Sequence, residues 1–310
     1  MLKGKDLISI HNLSTDEVQE ILDFAADLKV MQKNCIPHRY LEGKTLGMIF
    51  EKSSTRTRVS FEVGIFQLGG TGLFLSNKDL QLGRGEPIKD TARVLSRYLD
   101  GIMIRTYGHD RILELAKYSD VPVINGLSDL LHPCQVLTDL LTIREHKGKN
   151  FRSLKMAYVG DGNNMTNSYL YGAAKVGMNL AVATPANYKP NAEVFENALT
   201  DAEETKAELT WTENPVDAVK DADIIATDTW ASMGQESEHD ERKKIFAPYQ
   251  VNAELLKHAS KNAIVLHCLP AYRGEEITEE VFENNAHVIF EEAENRLHTQ
   301  KAIMALTMAD

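Results

Sequence analysis

Cysteine is scarce in this chain: 310 residues contain three, Cys35, Cys134 and Cys268. They lie far apart and form no Cys-x-x-Cys pair, so neither a disulfide framework nor a zinc cage is expected. Long apolar runs are missing as well. None approaches the roughly 20 residues a membrane-spanning helix needs, and Met1 to Ile10 carries lysines and an aspartate where a signal peptide would have an apolar segment. Basic residues are outnumbered, 34 Lys and Arg against 45 Asp and Glu, for a net charge of −11. A general nucleic-acid binder, which attracts phosphates through clustered Lys and Arg, is therefore not expected. A small anionic substrate is still compatible, because a few local arginines can bind phosphate inside an acidic protein. The expectation is a reduced, cytoplasmic protein with no membrane and no nucleic-acid partner.

What is present is the mix of an ordinary globular chain, 43% hydrophobic and 25% charged, with length for two medium domains. Ser14 followed by Glu17 reads as a capping box, and Val18, Ile21, Leu22, Ala25 and Leu28 then recur at helical spacing. Short apolar runs predict strands at Thr45–Phe50, Gly101–Arg105, Val121–Asn125, Lys155–Val159, Leu180–Ala183, Ile224–Thr227 and Ala263–His267. Amphipathic segments predict helices at Arg58–Leu68, Ile88–Tyr98, Ile112–Ser119, Val136–His146, Asn167–Val176 and Ala253–Ala259. Strands alternating with helices imply an α/β fold of two doubly wound parallel-sheet domains joined by helices. The polar stretch His146–Asn150 suggests a boundary, with domains at 1–148 and 149–291 and a last helix, about 292–310, returning to the first domain. Ligands of parallel sheets sit at the carboxyl ends of strands, and the unusual residues of this chain fall there.

Five such places stand out. Ser53–Arg58 lies between a strand and a helix, where small hydroxyls, free N–H groups and the helix dipole make an anion site. Arg56 could add a two-pronged grip on phosphate. The segment lacks the Gly-x-x-x-x-Gly-Lys of a P-loop. His132-Pro-Cys-Gln135 opens another helix, with Pro133 suited to its first turn. Gly160-Asp-Gly-Asn-Asn164 resembles a dinucleotide fingerprint but has no third glycine, while its amides could bind a zwitterion. Asp228 at a strand end could hold an ammonium group, and the polar run from Gly234 to Lys244 reads as a mobile loop. His267-Cys-Leu-Pro270 closes the last strand, and its thiol could be either a small buried hydrophobe or a nucleophile. Taken singly, the first two favour a capped helix, and the Asp228 segment equally suits a strand-end aspartate with a surface loop.

Together and in this order they resemble the aspartate/ornithine carbamoyltransferase family. Ser54-Thr-Arg-Thr57 matches its Ser-x-Arg-Thr motif and His132-Pro-Cys-Gln135 its His-Pro-x-Gln, and the likeness runs through Lys89–Arg93 to Arg296. Asp228, Ser232-Met-Gly234 and His267-Cys-Leu-Pro270 are similar to the ornithine branch. The resemblance implies that Ser54, Thr55, Arg56, Thr57, Gln81, Arg105, His132, Pro133, Cys134, Gln135, Cys268, Leu269 and Arg296 bind carbamoyl phosphate. It implies that Asn164, Asp228, Ser232 and Met233 bind L-ornithine, and that Arg105, His132 and Cys268 are catalytic. It also implies a homotrimer, or a multiple of trimers, with Gln81 supplied across each subunit interface, and neither metal nor cofactor. Aspartate-accepting relatives have Arg-Pro-Leu-Pro where this chain has His267-Cys-Leu-Pro270, and a lysine where it has Arg84. An arginine suits an extra carboxylate, and Cys268 leaves that charge out. Thr229 departs from the valine common in the ornithine branch. A sibling activity on putrescine or an acylated ornithine is the alternative this pattern leaves.

Overall fold

The computed structural model describes residues 2–77, 80–81, 85–231 and 238–309. They form two compact units, one of Met1–Leu141 with Asn295–Asp310 and the other of Thr142–Glu294. In chain order the first unit holds α1 (Thr15–Lys33), β1 (Thr45–Phe50), α2 (Thr55–Gln67), β2 (Thr71–Ser76), α3 (Ile88–Leu95), β3 (Gly101–Arg105), α4 (His109–Tyr118), β4 (Val123–Leu127) and the start of α5 (Pro133–Lys147). The second holds β5 (Lys155–Val159), α6 (Asn164–Val176), β6 (Asn179–Ala183), α7 (Ala192–Thr205), β7 (Leu209–Thr212), α8 (Pro215–Val219) and β8 (Ile224–Thr227). It continues with α9 (His239–Phe246), α10 (Ala253–Leu256), β9 (Ile264–His267), α11 (Glu279–Asn284) and the start of α12 (Ala286–Met308). The unit boundaries fall inside α5 and α12.

Among the described residues, each unit has one sheet. The orders are β2-β1-β3-β4 and β7-β6-β5-β8-β9, and every strand pair is parallel. In both, the order reverses beside the first strand of the unit, which is where a doubly wound sheet opens a crevice. The α/β class with parallel sheets and flanking helices is the one expected. Its helices begin earlier than periodicity suggests, at Thr55, His109, Pro133 and Asn164. Their first turns are polar, and a hydrophobic pattern cannot register a turn that faces a ligand or solvent.

Local chemistry accounts for the elements. Ser14 Oγ accepts the N–H of Glu17 (3.1 Å) and Glu17 Oε2 accepts that of Ser14 (2.9 Å), closing the expected capping box. Val18, Ile21, Leu22, Ala25 and Leu28 then line the buried face of α1. In the first unit, Ile49, Ile102, Ile104 and Val123 of the sheet share a core with Ala92, Ile112 and Leu115 of the covering helices. In the second, Ala157, Val159, Ala181, Ile225 and Val265 share one with Val219, Val251, Val281 and Phe282. The later part of α12 lies against α2 at Gly64, where an added Cβ would sit 2.9 Å from Met304 Cε and 3.3 Å from Lys301 Cγ.

One sequence expectation is corrected. The polar run after Gly234 is not loop throughout, because α9 starts at His239. Its Arg242 is buried rather than solvated, donating to Asp161 and to the Trp230 carbonyl. An ion pair with a residue far back in the chain turns a polar segment into a packed helix, which composition does not reveal.

Candidate active site

In the first unit three strand ends deliver the side chains. After β1, Ser54 caps α2, its Oγ accepting the N–H of Thr57 at 3.2 Å. Thr55 is exposed and Arg56 half-buried, both in the first turn of that helix. At the end of β3, beside a register shift between Ile104 and Arg105, Arg105 is buried and its Nη1 lies 3.4 Å from Thr57 Oγ1. After β4, His132 precedes α5, whose first residue is Pro133. Arg296 of α12 completes the cluster. Its Nη2 donates to Thr57 Oγ1 and its Nη1 to Gln135 Oε1, each at 2.7 Å. Gln135 Nε2 in turn donates to Asp139 Oδ1 (2.8 Å). A cavity of about 630 Å³ opens over the capped turn, lined by Ser53, Ser54 and Thr55 among others, a size suited to a small ligand.

The electrostatics follow from burial. His132 has its pKa driven well below the usual 6.5, first by desolvation and then by the Arg296 and Arg105 guanidiniums. It is a neutral imidazole that can donate a hydrogen bond but does not carry charge. Burial pushes the Cys134 thiol up to about 12, and its Sγ donates to the Asn125 carbonyl (3.4 Å). That excludes Cys134 as a nucleophile, since the thiolate is the reactive form. Gln81 is exposed.

In the second unit the β5–α6 turn, the β8 end and the β9 end converge. Asp228 Oδ1 accepts the Thr229 N–H (2.8 Å) and lies 3.1 Å from Cys268 Sγ, while Oδ2 accepts Asn163 Nδ2 (2.9 Å). Asn163 also caps α6, accepting from Met165 and Thr166. Its role in aiming Asp228 was absent from the sequence expectation, which chose Asn164, the first residue of the helix. Only the doublet of asparagines hinted at it. Ser232 and Met233 lie outside the described residues, as do Gly234 and Arg84. Asp161, its carboxyl raised to about 6 by burial and only partly restored by Arg242, sits in the same turn. Packing explains Gly162 of that turn: an added Cβ would fall 2.3 Å from the Tyr188 carbonyl oxygen. The glycine serves backbone packing, as against the pyrophosphate approach that a dinucleotide fingerprint requires.

Asp228, His267 and Cys268 bring one oxygen, one ring nitrogen and one sulfur within 4.8 Å of one another. His267 is committed elsewhere. Leu269 N–H donates to its Nδ1 (2.9 Å), so the ring proton sits on Nε2 and faces Glu276 Oε1 (2.9 Å). A metal ligand must offer a ring lone pair, and this ring spends its own on the backbone. Leu269 itself has φ +60°, a left-handed conformation that costs a non-glycine residue on the order of 1–2 kcal/mol. Such outliers concentrate at ligand sites.

Comparison with known proteins places this geometry. Residues 5–145 match the carbamoyl-P binding domain of aspartate/ornithine carbamoyltransferase, and residues 152–307 match the Asp/Orn binding domain. An ornithine carbamoyltransferase of Carboxydothermus hydrogenoformans is 58% identical over 99% of this chain and 98% of its own length. One of Oceanobacillus iheyensis is 55% identical over 100% and 96%. The solved structure of ornithine carbamoyltransferase from Pyrococcus furiosus superposes with a TM-score of 0.96 at 53% identity, covering 99% of this chain and 98% of that one. The chain belongs to the aspartate/ornithine carbamoyltransferase family.

Proposed function

We propose that this protein transfers the carbamoyl group of carbamoyl phosphate to the side-chain amine of L-ornithine, giving L-citrulline and phosphate. The observation that carries the reading is the convergence of Arg105 and Arg296 on Thr57 at the start of α2, beside a histidine kept neutral. In this reading Ser54, Thr55, Arg56 and Thr57 hold the phosphate at the helix start. Arg105 and His132 donate to the carbonyl oxygen, on which charge grows as the amine attacks. Donors of this kind are worth on the order of 3–4 kcal/mol each. Gln135, ordered by Arg296, takes the carbamoyl NH2, with Pro133 and Cys134 shaping the turn that presents it. Cys268, Leu269 and Gln81 complete the carbamoyl phosphate set. Since the Leu269 N–H is spent on His267, its contact falls to the carbonyl oxygen. The departing phosphate takes up the amine proton, so no protein base is assigned, and no metal or cofactor enters the scheme.

Asn164, Asp228, Ser232 and Met233 form the ornithine set. Asp228 pairs with the α-ammonium, and Cys268 adds no positive charge that would favour an acidic acceptor. The test is citrulline formation by the purified protein with carbamoyl phosphate and ornithine, against putrescine, N-acetylornithine and aspartate. Turnover confined to ornithine is expected, and preference for any of the other three would overturn the assignment.

The assembly in this reading is a homotrimer or a multiple of trimers in the cytoplasm, with Gln81 serving the neighbouring copy. No described helix is long and apolar enough to cross a membrane. Val59, Val63 and Phe66, spaced along one face of α2, are exposed, Phe66 by 76%. Beside them Leu73 and Phe74 are exposed on β2, an edge strand. Natural proteins rarely leave an edge strand and an apolar stripe uncovered, which supports a second copy as their partner.

A further inference from the structure

Helix α4 contributes nothing to the proposed substrate set, yet its first turn reaches two of the loops that do. His109 Nδ1 lies 2.9 Å from Ser128 Oγ. That hydroxyl accepts the Leu131 N–H (3.1 Å), and the Ser128 N–H donates to the Leu131 carbonyl (2.8 Å). These bonds close the turn whose next residue is His132. Two residues along the helix, Arg111 Nη2 donates to Glu51 Oε1 at 2.6 Å. The other oxygen of Glu51 accepts the Thr106 hydroxyl, and the Glu51 N–H donates to the Arg105 carbonyl (2.9 Å). Ser128 is fully buried and the Glu51 side chain is 6% exposed, so water does not compete well for these partners.

We infer that His109 and Arg111 are positioning residues for the carbamoyl phosphate half-site. His109 fixes the turn that aims His132, and Arg111, through Glu51, fixes the strand ends that carry Ser54–Thr57 and Arg105. The inference rests on the function proposed above. Its physical basis is that oxyanion donors act only when held close to their productive geometry, so the groups that lock a loop control the donor at its end. One helical turn bonded to both loops keeps the phosphate grip and the carbonyl donor in register with each other.

The test compares His109→Ala, His109→Asn and His109→Gln in the full-length protein. An Asn amide can occupy the place of Nδ1, whereas a Gln amide reaches toward that of Nε2. Citrulline rates are measured with each substrate varied in turn, carbamoyl phosphate binding is measured by calorimetry without ornithine, and melting temperatures are recorded. His109→Ala is expected to lower kcat/KM for carbamoyl phosphate about 10- to 100-fold, the scale of a displaced catalytic group, with the ornithine KM little changed. His109→Asn should recover most of the loss and His109→Gln little of it. Ser128→Ala removes the same bond from the other side, so its effect and that of His109→Ala should not add. Wild-type kinetics in His109→Ala, an Asn variant no better than Gln, or additive losses would each overturn the inference. A wild-type protein that makes no citrulline would instead overturn the proposed reaction, and calorimetric binding of carbamoyl phosphate would still test the positioning role.

Discussion

Arg296→Lys keeps a positive charge and removes a shape. The guanidinium of Arg296 spans two acceptors, Gln135 Oε1 and Thr57 Oγ1, each at 2.7 Å. Arg296 is 4% exposed, Gln135 1% and Thr57 0%, so no solvent replaces a lost donor. An ammonium is a point donor and cannot bridge both acceptors in the planar arrangement. One charge-assisted bond is therefore lost, at about 1.5–3 kcal/mol, or roughly 10- to 150-fold at 1.4 kcal/mol per decade. The loss should fall on kcat/KM for carbamoyl phosphate, read as initial citrulline rates at saturating ornithine, because Thr57 and Gln135 face that substrate in the proposed scheme. The ornithine KM at saturating carbamoyl phosphate should move by no more than about twofold if the defect is confined to one half-site. Thr57→Val in the same background should lower kcat/KM for carbamoyl phosphate further, since that hydroxyl also meets Arg105 and, in the proposed scheme, the phosphate. Kinetics within about twofold of wild type in Arg296→Lys, less than a single hydrogen bond is worth, would refute the view that the fork orders this site.

Asp228→Asn leaves a single acceptor oxygen for three donors and removes the charge offered to an ammonium. It should cut kcat/KM for ornithine about 100-fold while calorimetric carbamoyl phosphate binding persists, and equal loss of both would point to misfolding instead. The depressed pKa of His132 has a stability consequence. Below the usual 6.5 the unfolded chain binds a proton that the native site refuses, so this contribution is present above pH 6.5 and lost as the pH falls. The slope is at most about 1.4 kcal/mol per pH unit. In urea melts from pH 8 to 5, His132→Gln should lack that component, whereas an unchanged pH profile would show that His132 protonates freely in the fold. For the proposed trimer, Arg56 and Gln81 variants, each nearly inactive alone, should regain about a quarter of sites when unfolded, mixed equally and refolded, as cyclic sharing requires. Activity fixed at the parental level would assign Gln81 to its own subunit.

The strands that carry the site were legible because their signal is local. Thr45–Phe50, Gly101–Arg105 and Lys155–Val159 were read at the bounds the structure gives them, each a short apolar run ending at a polar turn. Two strands escaped notice, β2 and β7, and both lie at sheet edges. In β2 the run Thr-Gly-Leu-Phe-Leu-Ser is half-exposed throughout, so it has neither the continuous burial of a central strand nor a clean alternation. Helix α7 was missed for a related reason. Its buried positions Val194, Ala198 and Ala202 are small and widely spaced among acidic residues. Pairing at long range was the least legible. Nothing local says that Arg296 meets Thr57 across 239 positions or that Arg242 meets Asp161 across 81. Each of those contacts lies within one unit and joins residues brought together only by its tertiary fold.

The two half-sites solve opposite electrostatic problems with the same means, buried arginine. In the first unit two guanidiniums flank His132 and act with burial to keep it neutral. A protonated imidazole there would add charge before the substrate arrives and would have to be desolvated. In the proposed scheme the neutral ring donates to the growing oxyanion, while the permanent charge of Arg105 stabilises it. In the second unit burial, with the nearby Asp228 carboxylate, raises Asp161 to about 6, and Arg242 is bonded to Asp161 rather than to Asp228. The guanidinium is fixed by the Trp230 carbonyl as well and lies over the Tyr188 and Phe246 rings at 4.8 and 5.1 Å. With that cation committed to Asp161, the carboxylate of Asp228 is oriented, among the described residues, by neutral donors: an amide, a backbone N–H and a thiol. It therefore retains its attraction for an external cation, which a carboxylate already paired with arginine would have lost. A substrate bearing an ammonium group suits that vacancy of charge, and one bearing an extra carboxylate does not.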